Sequence, residues 1–523
     1  MSEEGTQQGD PLGPLLFCLT IQPLLSSLDS ELVISYIDDI TLGGSLSSVH
    51  NDVLFIKSRG FNTGCVLNID KCELISPSPC SCSQSSILSQ FIQLKPDESI
   101  LLGAPLLSGP ALDNTLTKKF NEMSRLSVNL RSISAHDALI VLKYALSTPR
   151  ILHLLRCSPC YGHSVIGDID RLLRSNVSYI ANVVLTDQQW TQASLPIRDG
   201  GLGIRRASAL ALPAFLSSAA NTSVLQNHIL LCTVTASDLY VDQYTATWCS
   251  LFHHQVPADS ITQRAWDAPG VKEDVTSLFS NCCEVDRARL LAVSATHSSA
   301  WLHALPIASC GLRLDNEDVR VAIGLRLGTA ICEPHICPCG ALVDAHGTHA
   351  LSCKLGSGKH SRHNTINDII YRSLARADIP SVKEPTGLLR SDGKRPDGLT
   401  LIPWRCGKSA VWDVTVADTL APSYCHTTAQ SAGSAAAILA NKKEAKYTDL
   451  ARSHYFIPIA FESLGPVDDR GLTFLKELGK RMTAATGDPR ETTFLFQRLS
   501  VAIQHFNYVL FKNSFTVSDL CDY

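Results

Sequence analysis

Positive charge is not in excess in this sequence: 45 Lys and Arg stand against 49 Asp and Glu, a formal net charge of -4. This excludes a uniformly basic nucleic-acid binder, since phosphate binding draws on Lys and Arg that release condensed counterions. Long apolar runs are missing as well. The run Ala209–Leu216 is short and broken by Pro213, and none approaches the roughly twenty residues of a spanning helix, so no membrane segment is expected. Met1–Asp10 has no cationic start followed by an apolar stretch. Nineteen cysteines spread over 523 residues therefore read as thiols of a reduced, intracellular protein and not as an extracellular disulfide framework. Internal repeats and low-complexity tracts are absent too. A hydrophobic fraction of 45% with 18% charge describes a globular chain, and its length suggests about three or four domains.

What is present is local. Residues 1–108 alternate strand and helix signals: Pro11 suits a first helical turn, and Leu12, Leu15, Leu16 and Leu19 follow at helical spacing. LVISYIDDITLGG (Leu32–Gly44) reads as a hairpin whose strands meet at Asp38 and Asp39. Adjacent acids repel, and a divalent cation held by hard carboxylate oxygens is the simplest way to neutralise them. A solvated turn is the plain alternative. From Asn114 the pattern turns helical, and ASLPIRDGGLGIRRAS (Ala193–Ser208) is a Gly-rich turn between helices.

Further on, Cys337, Cys339, His349 and Cys353 form C-x-C-x9-H-x3-C. The last pair is four residues apart, one helical turn, so both can face a tetrahedral Zn2+. Gly340 and Gly347 supply the tight turns of a short knuckle, with Cys332 and His346 as substitute ligands; free thiols and a surface histidine are the alternative. Between Lys354 and Lys408 eleven Lys/Arg accompany five Asp/Glu, a solvated stretch or a backbone-binding patch. Within it Asp397 precedes Asp413 by sixteen residues. Strand alternation puts Val411, Asp413 and Thr415 on one face and Trp412, Val414 and Val416 on the other. A carboxylate on a largely apolar strand needs a partner, and a metal is a natural one.

QGDPLGPLLF, YIDD, GCVLNIDKCEL and LLGAPL, in this order and spacing, resemble reverse transcriptases of the non-LTR retrotransposon type, and LPIRDGGLGIR is similar to the segment beyond the thumb in that family. The resemblance implies that Gln8 and Gly9 lie under template and incoming nucleotide, that Asp38 is a Mg2+ ligand beside Asp39, and that Lys71 is the proton donor to pyrophosphate. It also implies one more metal-binding aspartate on a strand preceding the QGDP segment. Only Met1–Glu4 precede Gly5, so an N-terminal truncation that removes the fingers and first palm strand is expected, with polymerase activity lost.

The Cys/His knuckle, the RHN segment, RPD followed by a second acid, and a lysine-bearing helix resemble the restriction-like endonuclease carried at the C-terminus of site-specific non-LTR retrotransposons. That resemblance implies Mg2+ on Asp397 and Asp413, with a lysine two positions after the second acid. Thr415 occupies that position, so the lysine is expected from Lys443 or Lys446 on the following helix. Glu384 is a further candidate acid, and Arg362, His363 and Arg395 are candidate phosphate contacts. Taken singly, Asp397 also reads as a turn residue, and the two lysines as a solvated helix face.

The expectation is an α+β multidomain protein: a partial reverse transcriptase palm at 1–108, a helical thumb and linker at 109–295, a zinc-knuckle region at 296–360 and a restriction-endonuclease-like α/β domain at 361–523. Expected cofactors are Mg2+ (or Mn2+) and Zn2+. Expected partners are RNA and DNA in the nucleus, with dNTP only if the missing N-terminal part exists. The expected retained activity is DNA cleavage; the alternative is a non-catalytic, zinc-dependent nucleic-acid-binding remnant.

Overall fold

A computed structural model describes residues 9–76, 86–229, 238–280, 282–388 and 395–516; Gln8 lies outside them. Helix and strand are mixed along a multidomain chain, compatible with the expected α+β class. Two compact units interleave in sequence: Met1–Lys118 with His153–Tyr161 and Ala211–Trp266, and Lys119–Leu152 with Gly162–Leu210 and Asp267–Tyr523.

The first unit opens with helix α1 (Gly13–Leu25), started by Asp10, whose carboxylate accepts the Leu12 amide at 2.9 Å. Its leucine stripe is not core: Leu12, Leu15, Leu16 and Leu19 are all exposed. Strands β1 (Leu32–Tyr36) and β2 (Asp39–Gly43) pair antiparallel, Tyr36 opposite Asp39. Helix α2 (Leu46–Gly60) begins on Ser45, whose hydroxyl accepts the Ser48 amide at 3.2 Å. It turns Val53 inward against Ile87 and Leu88. From the same helix the buried Asp52 accepts the Asp29 amide at 3.0 Å and the Ser30 amide at 2.7 Å, pinning the approach to β1. A separate aromatic cluster in this unit packs Trp248 on Trp266 beside Phe215 and Tyr244.

The second unit is built around a four-stranded mixed sheet. Helix α3 (Gly358–Arg376) leads into strands β3 (Ser381–Lys383), β4 (Gly398–Arg405) and β5 (Lys408–Ala417). Helix α4 (Ser434–Lys446) then crosses to strand β6 (Tyr455–Glu462), followed by helices α5 (Asp469–Thr486) and α6 (Glu491–Lys512). The order across the sheet is β6-β5-β4-β3, with β5 and β6 parallel and the other pairs antiparallel. The two-residue period of β5 decides what each face meets. Trp412 and Val414 join Ile366 and Ile370 of α3, Phe474 of α5 and Leu495 of α6 in the main core. The opposite face receives α4, whose Ala436 and Ala440 are small enough to lie against Ala460 of β6.

Two helical stretches, Ala135–Cys157 and Ala207–Ile229, are long and apolar enough to cross a membrane by length and composition alone, which the reading of uninterrupted runs did not anticipate. Half of the first window and 44% of the second are buried within the protein, as core helices are.

Candidate metal centres

The first candidate lies at the β1–β2 turn. With Tyr36 opposite Asp39, the turn consists of Ile37 and Asp38. Ile37 sits at φ +57°, a left-handed backbone that β-branched residues rarely adopt. The Ser35 hydroxyl donates to the Ile37 carbonyl at 2.8 Å across this bend. Asp38 and Asp39 are both exposed, as is Lys71 at the end of a short 3-10 turn. Among the described residues neither aspartate joins a group of metal-ligand side chains. Gly9, at φ +96°, has open space around it.

The second lies in the Cys/His segment. A small hairpin, His335–Ile336 with Leu342–Val343, brings Cys337 and Cys339 to its tip, where Gly340 at φ +84° lets its amide reach the Cys337 carbonyl at 2.7 Å. Gly347, at φ +67°, starts the short helix Thr348–Ser352, and the Cys353 amide reaches the His349 carbonyl at 2.9 Å. Ligand atoms of Cys337, Cys339, His349 and Cys353 lie within 4.8 Å of one another. Sγ of Cys337 is 3.6 Å from Sγ of Cys353, and Sγ of Cys339 is 3.1 Å from Nε2 of His349. Tetrahedral Zn2+ sets sulfur–sulfur at about 3.8 Å and sulfur–nitrogen at about 3.6 Å, so all four fit one ion with small adjustments. Burial pushes the Cys337 thiol up to about 11, while the Ala341 amide draws Cys339 down to about 6. Cys332 packs on the same cluster but turns its thiol to the Asp344 carbonyl, and His346 lies on the Thr329 carbonyl; neither joins the group of four.

The third is on the central sheet. Gly398 pairs with Trp412, and the Asp397 amide donates to the Trp412 carbonyl at 3.0 Å, extending the ladder by one residue. Oδ2 of Asp397 accepts the Val414 amide at 2.6 Å, which locks the carboxylate beside Asp413. His363 of α3 places Nε2 3.0 Å from the same oxygen. One turn on, Asn367 accepts the Trp412 indole N–H at 2.8 Å, fixing helix to strand. Ligand atoms of His363, Asp397 and Asp413 lie within 4.8 Å of one another. Asp413 is 3% exposed, and Nζ of Lys443 from α4 is 2.5 Å from its Oδ1. Burial, then the charge of Asp397, raises the Asp413 carboxyl above its usual range, against the pull of Lys443 and a hydrogen bond from Tyr447. The hydrogen bond to Asp397 raises the His363 imidazole. Two carboxylates and an imidazole held at close range are donors that suit a hard or borderline divalent cation.

Of the other candidates, Lys446 donates to the Tyr447 hydroxyl at 3.2 Å. Glu384 pairs with Arg395, and its amide donates to the Asp397 carbonyl at 2.9 Å. Arg362 is 3% exposed and faces the charge of the buried Asp418. Sequence reasoning overlooked Asn367 and Tyr447. Each had a signal, one helical turn from His363 and from Lys443 respectively.

Residues 1–105 match the family described as reverse transcriptase (RNA-dependent DNA polymerase). Over 424 residues the chain is 22% identical to the Retrotransposable element SLACS 132 kDa protein of Trypanosoma brucei gambiense, covering 79% of this chain and 31% of that protein. The chain thus spans about a third of the length of this relative. The two likenesses support a retrotransposon reverse transcriptase, and a reverse transcriptase domain implies nucleic-acid binding.

Proposed function

We propose that this chain is part of a retrotransposon reverse transcriptase whose C-terminal portion, about 361–523, is a divalent-metal-dependent DNA endonuclease preceded by a zinc knuckle. The supporting observation is the convergence of His363, Asp397 and Asp413 within 4.8 Å, with Lys443 on Asp413. Asp397, Asp413 and His363 would hold Mg2+ or Mn2+. When bound, such an ion lowers the pKa of water and offsets charge on a phosphodiester. Lys443, arriving from α4, takes the part that Thr415 cannot fill: its ammonium donates charge-assisted hydrogen bonds to a phosphate oxygen or to the attacking water. Tyr447 and Asn367 hold the acids in register.

Cys337, Cys339, His349 and Cys353 would hold Zn2+ as a structural site. In the N-terminal segment, Asp38 is the proposed Mg2+ ligand with Asp39 its neighbour, and Lys71 the proton donor to pyrophosphate. Two-metal transfer needs more carboxylates than this pair, and we propose no DNA synthesis from these residues alone.

The test is nicking of a randomised duplex pool with Mg2+ or Mn2+. Wild-type protein should cut, and Asp397→Asn, Asp413→Asn and Lys443→Gln should each lose on the order of 10²-fold or more. Equal cutting by all proteins contradicts the assignment. A second reading, a non-catalytic nucleic-acid-binding remnant, draws on the ion pair by which Lys443 already neutralises Asp413; binding without cutting by wild type selects it.

A further inference from the structure

Helix α3 has a second face. Two and nine residues on from His363, and so about 200° and 180° around the helix, Thr365 and Arg372 look into a cleft of about 500 Å³ formed with α6 and the segment around Arg313. Three acids line it too, Asp315, Asp318 and Asp368. Asp318 accepts from His505 at 3.1 Å and from the Asp315 amide at 3.0 Å. Asp368 pairs with Lys383, and the cationic Arg313 pairs with Asp137 at 3.0 Å. Two guanidiniums remain, Arg372 from α3 and Arg498 from α6. Among the described residues neither forms an ion pair, whereas their neighbour Arg376 is neutralised by Glu491 at 2.5 Å.

Arg498 is half-buried, and its surroundings disfavour its charge: burial first, then the like charges of Arg372 and Arg376. Arg372, exposed, and Arg498, half-buried, thus share one concave wall without an ion-pair partner, where a bound anion would offset the cost to Arg498. Planar guanidinium forks match phosphate oxygens in pairs, and the Thr365 hydroxyl adds a donor at the same wall.

We propose that Arg372 and Arg498 form a subsite for a backbone phosphate of nucleic acid, on the side of α3 turned away from the carboxylates. Phosphodiester is the class chosen because the chain carries a nucleic-acid-binding domain and because such contacts position a duplex without reading its sequence. The subsite rests on the reading that the C-terminal portion engages DNA. A strand seated there would be held by α3 from one side while the acids act from the other.

The test is fluorescence anisotropy of a labelled duplex bound to the full chain in Ca2+ across a salt series, comparing wild type with Arg372→Gln, Arg498→Gln and Arg490→Gln. Arg490 is 84% exposed and already paired with Asp488, so its loss controls for net charge alone. Each cleft variant should flatten the slope of log affinity against log salt by about 1 and weaken binding about tenfold; Arg490→Gln should do neither. Arg498→Lys should restore part of the affinity, and thermal melting of each variant reports folding, so Arg372→Gln decides alone if Arg498→Gln fails to fold. Slopes indistinguishable from Arg490→Gln overturn the proposal. So does protection of the cleft by inorganic phosphate with duplex affinity unchanged in the variants, which assigns it to a free anion. Failure of the nuclease reading appears separately, as a wild-type protein that binds duplex and never nicks it.

Discussion

At residue 398 the chain tolerates no side chain: a Cβ there would stand 2.0 Å from the Trp412 ring. That ring is fully buried and tied by its N–H to Asn367, so it has nowhere to go. Gly398→Ala is expected to cost about 3 kcal/mol, read as a lowered urea midpoint, together with loss of nicking, because Asp397 is the next residue. An unchanged midpoint would show that the indole can move. The two acids were legible at this scale as a PD turn and a strand aspartate. The role of Gly398 was not, since nothing in a sequence says which ring will lie across a backbone.

At the scale of elements, alternation and helical spacing did most of the work. β5 shows its two faces where the pattern puts them, and the turn glycines Gly340 and Gly347 both take positive φ. Helix α6 escaped notice although Leu495, Phe496, Leu499 and Ile503 supply much of the core. Buried on nearly all sides, down to Gln504 and Asn507, it lacks the polar face that makes a helix visible. The leucines of α1 are the converse, a clear stripe left exposed. Two predictions belong here. Asp52→Ala removes the acceptor for the Asp29 and Ser30 amides, hydrogen bonds that hold the Asp52 carboxyl below its usual range although burial opposes them. It should destabilise the β1–β2 hairpin by about 2 kcal/mol, visible as faster amide exchange from Leu32 to Gly43. Cys353→Ser should lose one equivalent of bound Zn2+ by elemental analysis and lower the thermal midpoint, because the knuckle packs on α6 through Gly347 against Phe511, and on the turn after α6 through His335 against Phe515. Unchanged zinc content would remove the knuckle from the account.

At the scale of the whole molecule, chain order and compactness part company. Residues 211–266 cluster with the N-terminal segment through contacts such as the Ser108 amide to the Tyr240 hydroxyl at 3.0 Å, a pairing across 132 positions that no local pattern announces. Stability against pH is also a global property. Glu462 is 0% exposed and accepts the Ala435 and Ala436 amides at the start of α4, yet burial pushes its carboxyl up to about 7 from 4.5. The folded state therefore keeps a proton that the unfolded chain gives up, so the contribution of Glu462 to stability is full below pH 4.5 and falls as pH rises toward 7. The drop is worth roughly 3 kcal/mol, and Glu462→Gln should flatten that part of the profile. A variant as pH-sensitive as wild type would assign the effect to another group.

The claim beneath all of this is that His363, Asp397 and Asp413 hold one divalent cation. Electron paramagnetic resonance of Mn2+ titrated into the full chain, with Zn2+ present to occupy the cysteines, measures it directly. Expected is a Mn2+ site in wild type that Asp397→Asn and Asp413→Asn each abolish and that Mg2+ displaces. Equal Mn2+ binding by wild type and both variants would contradict it.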